Sequence, residues 1–202
     1  MPRLMRGPIL AVLLGVWTLG PLEVQAGEGG SSSGGRIEFG KPAVGKAAPT
    51  LADIDALDRA VTDAWEQMAL TQRRALFVST PANLYGGYAA RPSNVFAQGE
   101  KLLTYVEPVG YTWRPSEGGT YRFGLTLDFA VKTPGGKILG GQQAFQSFDF
   151  TSRFKNREVF VSVTMSLEGI EPGNYVLVYT LRDQGSAKTS SFEQPFTIAP
   201  KG

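Results

Sequence analysis

The sequence predicts a mainly β fold: an antiparallel β-sandwich of seven to eight strands preceded by one amphipathic helix. Three observations predict it. From about residue 72 onward apolar and polar residues alternate with period two, as in strands with one buried face. Turn-forming groups, Pro134-Gly135-Gly136, Glu171-Pro172-Gly173-Asn174 and Asp183-Gln184-Gly185-Ser186, punctuate those stretches. A single earlier segment, 51–70, has its apolar residues at steps of three or four instead.

That helix carries Leu51, Ile54, Leu57, Val61, Trp65 and Met68 as one stripe, with Asp55, Arg59, Asp63 and Glu66 mainly on the other side. Thr50 followed by Asp53 resembles a capping box with Asp in the Glu place. Asp53 and Asp55 in the first turn suit the positive end of the helix dipole. An isolated helix of this length is marginal in water. The stripe is therefore expected to pack on the sandwich, with docking to a partner as the alternative.

The strands are expected between residues 72 and 199. In the clearest, Tyr121, Phe123, Leu125, Leu127, Phe129 and Val131 alternate with Arg122, Gly124, Thr126, Asp128, Ala130 and Lys132. In a second, Val159, Val161, Val163, Met165 and Leu167 alternate with Phe160, Ser162, Thr164, Ser166 and Glu168. Shorter candidates cover 74–79, 101–107, 138–145, 148–154, 175–182 and 192–198. Such a series of strands with turns between them is the pattern of a sandwich or barrel.

The beginning of the chain reads as an export signal. Arg3 and Arg6 lie before an apolar run at 8–20, and Val24-Gln25-Ala26 supplies small residues at the −3 and −1 positions. The apolar run spans about 20 Å as a helix, against the roughly 30 Å of a bilayer core. Residues 1–26 are thus expected to be a cleaved signal peptide, with no stable membrane span left afterwards and the mature protein periplasmic or secreted. No cysteine follows the apolar run to carry a lipid. Residues 27–50, opening Gly-Glu-Gly-Gly-Ser-Ser-Ser-Gly-Gly, read as a disordered Gly/Ser-rich tail.

The segment Leu167-Glu168-Gly169-Ile170-Glu171-Pro172-Gly173-Asn174-Tyr175, leading into Val176-Leu177-Val178-Tyr179, resembles the corner before the penultimate strand of immunoglobulin-like and fibronectin type III-like domains. In those domains a tyrosine hydroxyl bonds back to upstream backbone. The resemblance implies that Tyr175 is the corner tyrosine, that 183–188 forms the last hairpin and that 192–198 is the final strand. The cysteine pair of antibody domains is absent. The stretch from Tyr85 to Trp113 is similar in style to exported proteins of Gram-negative bacteria, which implies no activity.

Composition excludes more than it assigns. Without Arg3, Arg6 and Glu23 the chain has 18 basic and 17 acidic residues, a balance that leaves no electrostatic footprint for nucleic acid and no basic run for anionic lipid. Cysteine and histidine are both absent. That removes disulfides, Ser-His-Asp and Cys-His catalysis, and the usual zinc ligands. No cofactor or metal is expected.

The candidate binding residues are Tyr85, Tyr88, Arg91, Asn94, Tyr111 and Trp113. Aromatic rings beside Gly86 and Gly87 make a platform for a sugar or peptide, to which Arg91 and Asn94 add polar contacts. The competing and preferred reading is packing, with Tyr105 in the core and the four aromatics covering one end of the sandwich. Carboxylate chemistry is the enzymatic alternative. Glu100 and Glu107 have an odd separation and so face opposite ways on a regular strand, while Asp128 and Glu168 are expected outward and solvated. Asp53, Asp55 and Asp58 lack the glycine and distal glutamate of a calcium loop. Ser152-Arg153-Phe154-Lys155 matches Ser-x-x-Lys without its supporting motifs. The leading expectation is a non-catalytic exported module that binds or assembles in the cell envelope, with an envelope protein or glycan as partner. An outer-membrane β-barrel and a carboxylate-based glycan hydrolase are the alternatives.

Overall fold

A computed structural model describes residues 48–200. The expected signal peptide at 1–26, and the expected tail at 27–50 apart from its last three residues, lie outside the described residues. The elements in order are α1 (Leu51–Gln67), β1 (Thr71–Phe77), β2 (Val95–Phe96), β3 (Leu102–Val109), β4 (Arg114–Ser116), β5 (Thr120–Lys132), β6 (Ile138–Ser152), β7 (Val161–Met165), β8 (Gly173–Asp183) and β9 (Thr189–Ile198).

The described chain is mainly β, with one α-helix and two sheets. The smaller sheet has the order β1-β3-β7 and is antiparallel throughout. The larger has the order β2-β9-β8-β5, with β4 and β6 both paired to β5, and it curls as a half-barrel. All its pairings are antiparallel except the short β2–β9 contact. Chain order and sheet order differ because the segment between β1 and β2 leaves the smaller sheet for the edge of the larger one.

Period-two alternation places one row inside in β5, β7, β8 and β9, while β3 is buried on both faces. Phe123, Leu125, Leu127 and Val131 of β5, Leu177, Tyr179 and Leu181 of β8, Val161, Val163 and Met165 of β7, and Leu102 and Val106 of β3 belong to one buried cluster. Each large apolar side chain so buried contributes about 1.5–3 kcal/mol. Buried Thr104 and Gln194 satisfy each other, with Thr104 Oγ1 on β3 donating to Gln194 Oε1 on β9 at 3.0 Å.

Two expectations need correction here. The segments 138–145 and 148–154 are one strand, β6, broken by a bulge. Its register against β5 shifts between Leu127 and Phe129, and Ala144 adopts a positive φ of 48°. The irregularity sets two extra residues of β6 opposite β5 and interrupts the alternation locally, so a single strand reads as two. Asp128, expected outward and solvated, is buried. Its Oδ1 accepts the Ala144 amide at 2.8 Å and its Oδ2 accepts Arg182 Nε at 2.7 Å, which fastens the bulge.

The third correction concerns α1. The capping box forms, with Thr50 N–H donating to Asp53 Oδ2 at 2.8 Å and Asp53 N–H to Thr50 Oγ1 at 3.3 Å. The stripe, however, does not pack along its length. Trp65 is buried and Met68 packs against the core, but Leu51, Ile54, Leu57 and Val61 are 76%, 54%, 64% and 50% exposed.

Candidate functional site

The six candidate binding residues separate into three groups. Tyr111 and Trp113, from the short connection between β3 and β4, are buried in the core, which corrects their place on an open platform. Their polar tips both donate to the Asn156 carbonyl, at 2.7 Å from Tyr111 Oη and 3.0 Å from Trp113 Nε1. Burial pushes the Tyr111 hydroxyl far above its usual pKa. Arg91 and Asn94 are occupied by their own chain and hold β2 in place. Arg91 Nη1 donates to Glu100 Oε1 at 2.7 Å and Nη2 to the Val95 carbonyl at 2.8 Å, and its guanidinium lies 4.2 Å from the centre of the Phe96 ring. Asn94 Nδ2 donates to the Pro195 carbonyl at 3.0 Å.

Tyr85 and Tyr88 remain half-buried at the surface. Gly86 lies between them with φ of 72°, a left-handed conformation that glycine adopts without strain. Tyr88 rests on Tyr105 with ring centres 4.6 Å apart, and Phe160 stacks on the same ring at 5.5 Å. Beneath them runs a polar chain: Gly86 N–H donates to Tyr105 Oη at 2.8 Å, and Tyr105 Oη donates to Glu107 Oε1 at 2.9 Å. Burial, with the Glu107 carboxylate adding to it, pushes the Tyr105 hydroxyl up to about 12. Tyr85 and Tyr88 thus act as a cover over Tyr105.

The candidate carboxylates Glu100, Glu107 and Asp128 are each engaged by a partner of their own. Glu100 is bound by Arg91 and by the Ala97 amide at 2.8 Å, and although partial burial opposes them, these partners hold its pKa below the usual carboxylate value. Glu107 faces Tyr105 and, at 3.8 Å, Arg74. Asp128 is likewise lowered by Arg182 and the Ala144 amide against a desolvation that raises it. Among the described residues no group of three or more acidic side chains is placed to hold a metal ion.

The helix offers a different arrangement. Its last turn is fixed to the body. Trp65 stacks on Trp113 at 5.3 Å, meets Tyr111 edge-on at 5.2 Å, and donates its Nε1–H to the Tyr111 carbonyl at 3.0 Å. Lys188 Nζ donates to the Glu66 carbonyl at 3.0 Å and to the Gly110 carbonyl at 2.9 Å, placing a cation at the negative end of the helix dipole. Gly110 makes this approach possible, because a Cβ there would stand 2.4 Å from the Ala69 carbonyl oxygen. Lys155 pairs with Glu66, and Arg157 with Asp58 and Thr62. Apart from the Arg157–Asp58 pair, the first three turns of α1 leave the apolar residues Leu51, Ile54, Leu57 and Val61 exposed. Phe154, on the adjoining loop, is also exposed and lines a cleft of about 600 Å³ with Arg59, Thr62, Asp63 and Tyr121.

At the other end of the larger sheet, Tyr175 Oη donates to the Glu171 carbonyl at 2.8 Å. The hydrogen bond closes the turn that precedes β8. Sequence reasoning missed the roles of Lys188, Lys155 and Arg157 as helix anchors. Their only signal was a basic residue in a loop, which is how a solvated surface also reads.

No family model matches the chain, and no curated protein matches it. Among solved structures, the Pseudomonas fluorescens alkylpurine DNA glycosylase AlkC bound to DNA containing an abasic site analog is 11% identical, over 73% of this chain and 36% of that one, with a TM-score of 0.35. The chain therefore spans about a third of that structure's length, and a likeness of this size carries neither fold nor function.

Proposed function

We propose that the protein is an exported, non-catalytic binding or assembly module of the bacterial cell envelope, an immunoglobulin-like sandwich that presents an amphipathic helix to a partner. The observation that carries this reading is the uncovered stripe Leu51, Ile54, Leu57 and Val61 on a helix whose far end is anchored by Trp65 and Lys188. A helix with nothing else to do would lie flat on the body and bury that face. An exposed apolar helix face is complementary to an apolar partner surface, such as another amphipathic helix.

The immunoglobulin-like assignment is supported by strand order. With β1, β3 and β7 taken as strands A, B and E, and β9, β8 and β5 as G, F and C, the two sheets follow the order of that architecture. The Tyr175–Glu171 hydrogen bond, of the kind a corner tyrosine makes, and the burial of Leu177 two residues on support the same reading. Export rests on the sequence of residues 1–26. Mass measurement of the protein recovered from the periplasm tests it: a chain beginning at Gly27 agrees, and an intact Met1 start in the cytoplasm refutes it.

The function itself is tested by placing a photo-crosslinking residue at position 57 in the exported protein. One discrete adduct is expected, and it disappears when Ile54→Lys is added. Absence of any position-57 adduct in cells where the protein is abundant would sink the helix as the binding element.

A further inference from the structure

A second surface lies far from the helix stripe in sequence and draws on different physics. Strand β6 runs for 15 residues and, among the described residues, pairs on one side only, with β5. Its other side is a free edge, and residues 138–144 are all exposed. Natural sheets blunt such an edge with lysine, proline or brevity. β6 has none of these, although a bulge at Ala144 bends one end of its exposed half, and its one charge, Asp149, lies outside that half.

A cleft of about 560 Å³ opens beside that same half. One wall is Leu139, Gly140 and Gly141 of β6, with Phe129 and Val131 of β5 behind them, and the opposite wall is the loop 166–171 with Leu167 and Ile170. Glu168 and Glu171 stand at its margin with no basic residue among the lining groups. Gly140 leaves the edge backbone bare, since a Cβ there would meet nothing within 4 Å. Leu139 is half exposed and waits beside the cleft without a covering side chain.

We infer that the β6 edge at 138–142, up to the bulge, is a strand-addition site that accepts an extended peptide segment of another protein. The row of unpaired backbone N–H and C=O groups along an edge is complementary to one thing above all, the backbone of another extended chain. Alternate side chains of an added strand point to the same face, so every second residue of the peptide faces the cleft. The apolar walls select an aliphatic or aromatic residue there, and the two glutamates select lysine or arginine beside it. This surface is independent of the helix reading and stands if that reading fails.

The test uses the purified protein and a displayed library of random ten-residue peptides. Selection is expected to enrich peptides with apolar residues at alternate positions and a flanking base. Two synthetic versions of an enriched peptide, N-methylated on one or the other set of alternate residues, separate strand addition from other modes. One set is expected to lose at least tenfold in affinity and the other to retain it, because an added strand uses one edge only. Peptide binding is expected to slow amide exchange across 138–142. Leu139→Lys, with unchanged circular dichroism, is expected to weaken binding at least tenfold, while Ile54→Lys leaves it unaltered. Enriched peptides that leave β6 exchange untouched, equal tolerance of both N-methyl sets, or failure to enrich any peptide would each overturn the proposal. Concentration-dependent protection of β6 without peptide would also overturn it, by assigning the edge to a second copy of the chain.

Discussion

The two ends of α1 differ in fate although one apolar stripe runs through both. At the C-terminal end Trp65 sits between Tyr111 and Trp113 with its N–H satisfied, and Lys188 caps the last carbonyls. At the N-terminal end Leu51, Ile54 and Leu57 recur at the same helical spacing and touch no core. The difference lies in what stands opposite. The connection carrying Gly110, Tyr111 and Trp113 reaches the last turn of the helix, while among the described residues the first three turns meet the body through the half-exposed Arg157–Asp58 pair. Periodicity therefore identifies the face of a helix that is suited to burial, while the presence of a cover is decided by the rest of the fold.

The largest test of this contrast is Trp65→Ala. It empties a buried aromatic site and frees the Tyr111 carbonyl, so urea unfolding is expected to show a loss of about 3–5 kcal/mol. A loss below about 1 kcal/mol would mean that the anchored end is not anchored. Lys188→Met comes next. It removes a cation shared by the Glu66 and Gly110 carbonyls, and the expected cost in the same measurement is about 1.5–3 kcal/mol, the range for hydrogen bonds to a charged group. Arg157→Ala removes a half-exposed pair with Asp58 and a bond to Thr62. Exposed pairs are screened by solvent, so about 0.2–1 kcal/mol is expected.

Acid separates the two ends by a different route. Hydrogen bonds from the Thr50 side chain and then the Thr50 backbone amide hold Asp53 below its usual value of 3.8. A carboxyl whose pKa is lower in the folded state stabilises that state above the unfolded value, and the contribution is lost as pH falls through the folded value. Protection of the amides of residues 51–56, taken relative to their intrinsic exchange rate at each pH, is therefore expected to fall below about pH 4, while Trp65 fluorescence holds its buried emission. A simultaneous change in both would show that the helix responds as one unit.

Much of the strand content was legible because alternation survives wherever one face of a strand meets the core. β5 and β8 show this from Phe123 to Val131 and from Leu177 to Leu181. β2 and β4 were not legible, since two or three residues cannot display a period. The bulge at Ala144 was hidden for the opposite reason: it breaks a long strand into two plausible short ones, and the residue that fastens it, Asp128, reads as a solvated acid. The aromatic segment 85–113 was conspicuous, but composition does not say which side of a ring meets solvent. Tyr111 and Trp113 turned out to hold the helix, and Arg91 and Asn94 to hold β2. Of the proposed interaction surfaces, the stripe was visible as a pattern and its exposure was not. The free edge of β6 depends on which strands neighbour it, a property of topology that no local window contains.

The smallest expected effect is the most informative about the uncovered end. Leu57→Ser replaces a side chain that is 64% exposed. In a buried stripe such a change removes most of a leucine's burial and costs several kcal/mol. On an uncovered face it leaves core packing untouched, and the change is expected to stay within about 0.5 kcal/mol apart from a small propensity term. With the photo-crosslinking residue moved to position 54, the same substitution is expected to reduce the adduct with the partner several-fold, because the apolar face is then interrupted at its centre. A destabilisation of about 2 kcal/mol or more would show that the stripe is covered within the protein itself in solution, and the contrast between the two ends would collapse. Unchanged stability together with an unchanged adduct would leave the contrast intact and move the partner contact off the leucine face.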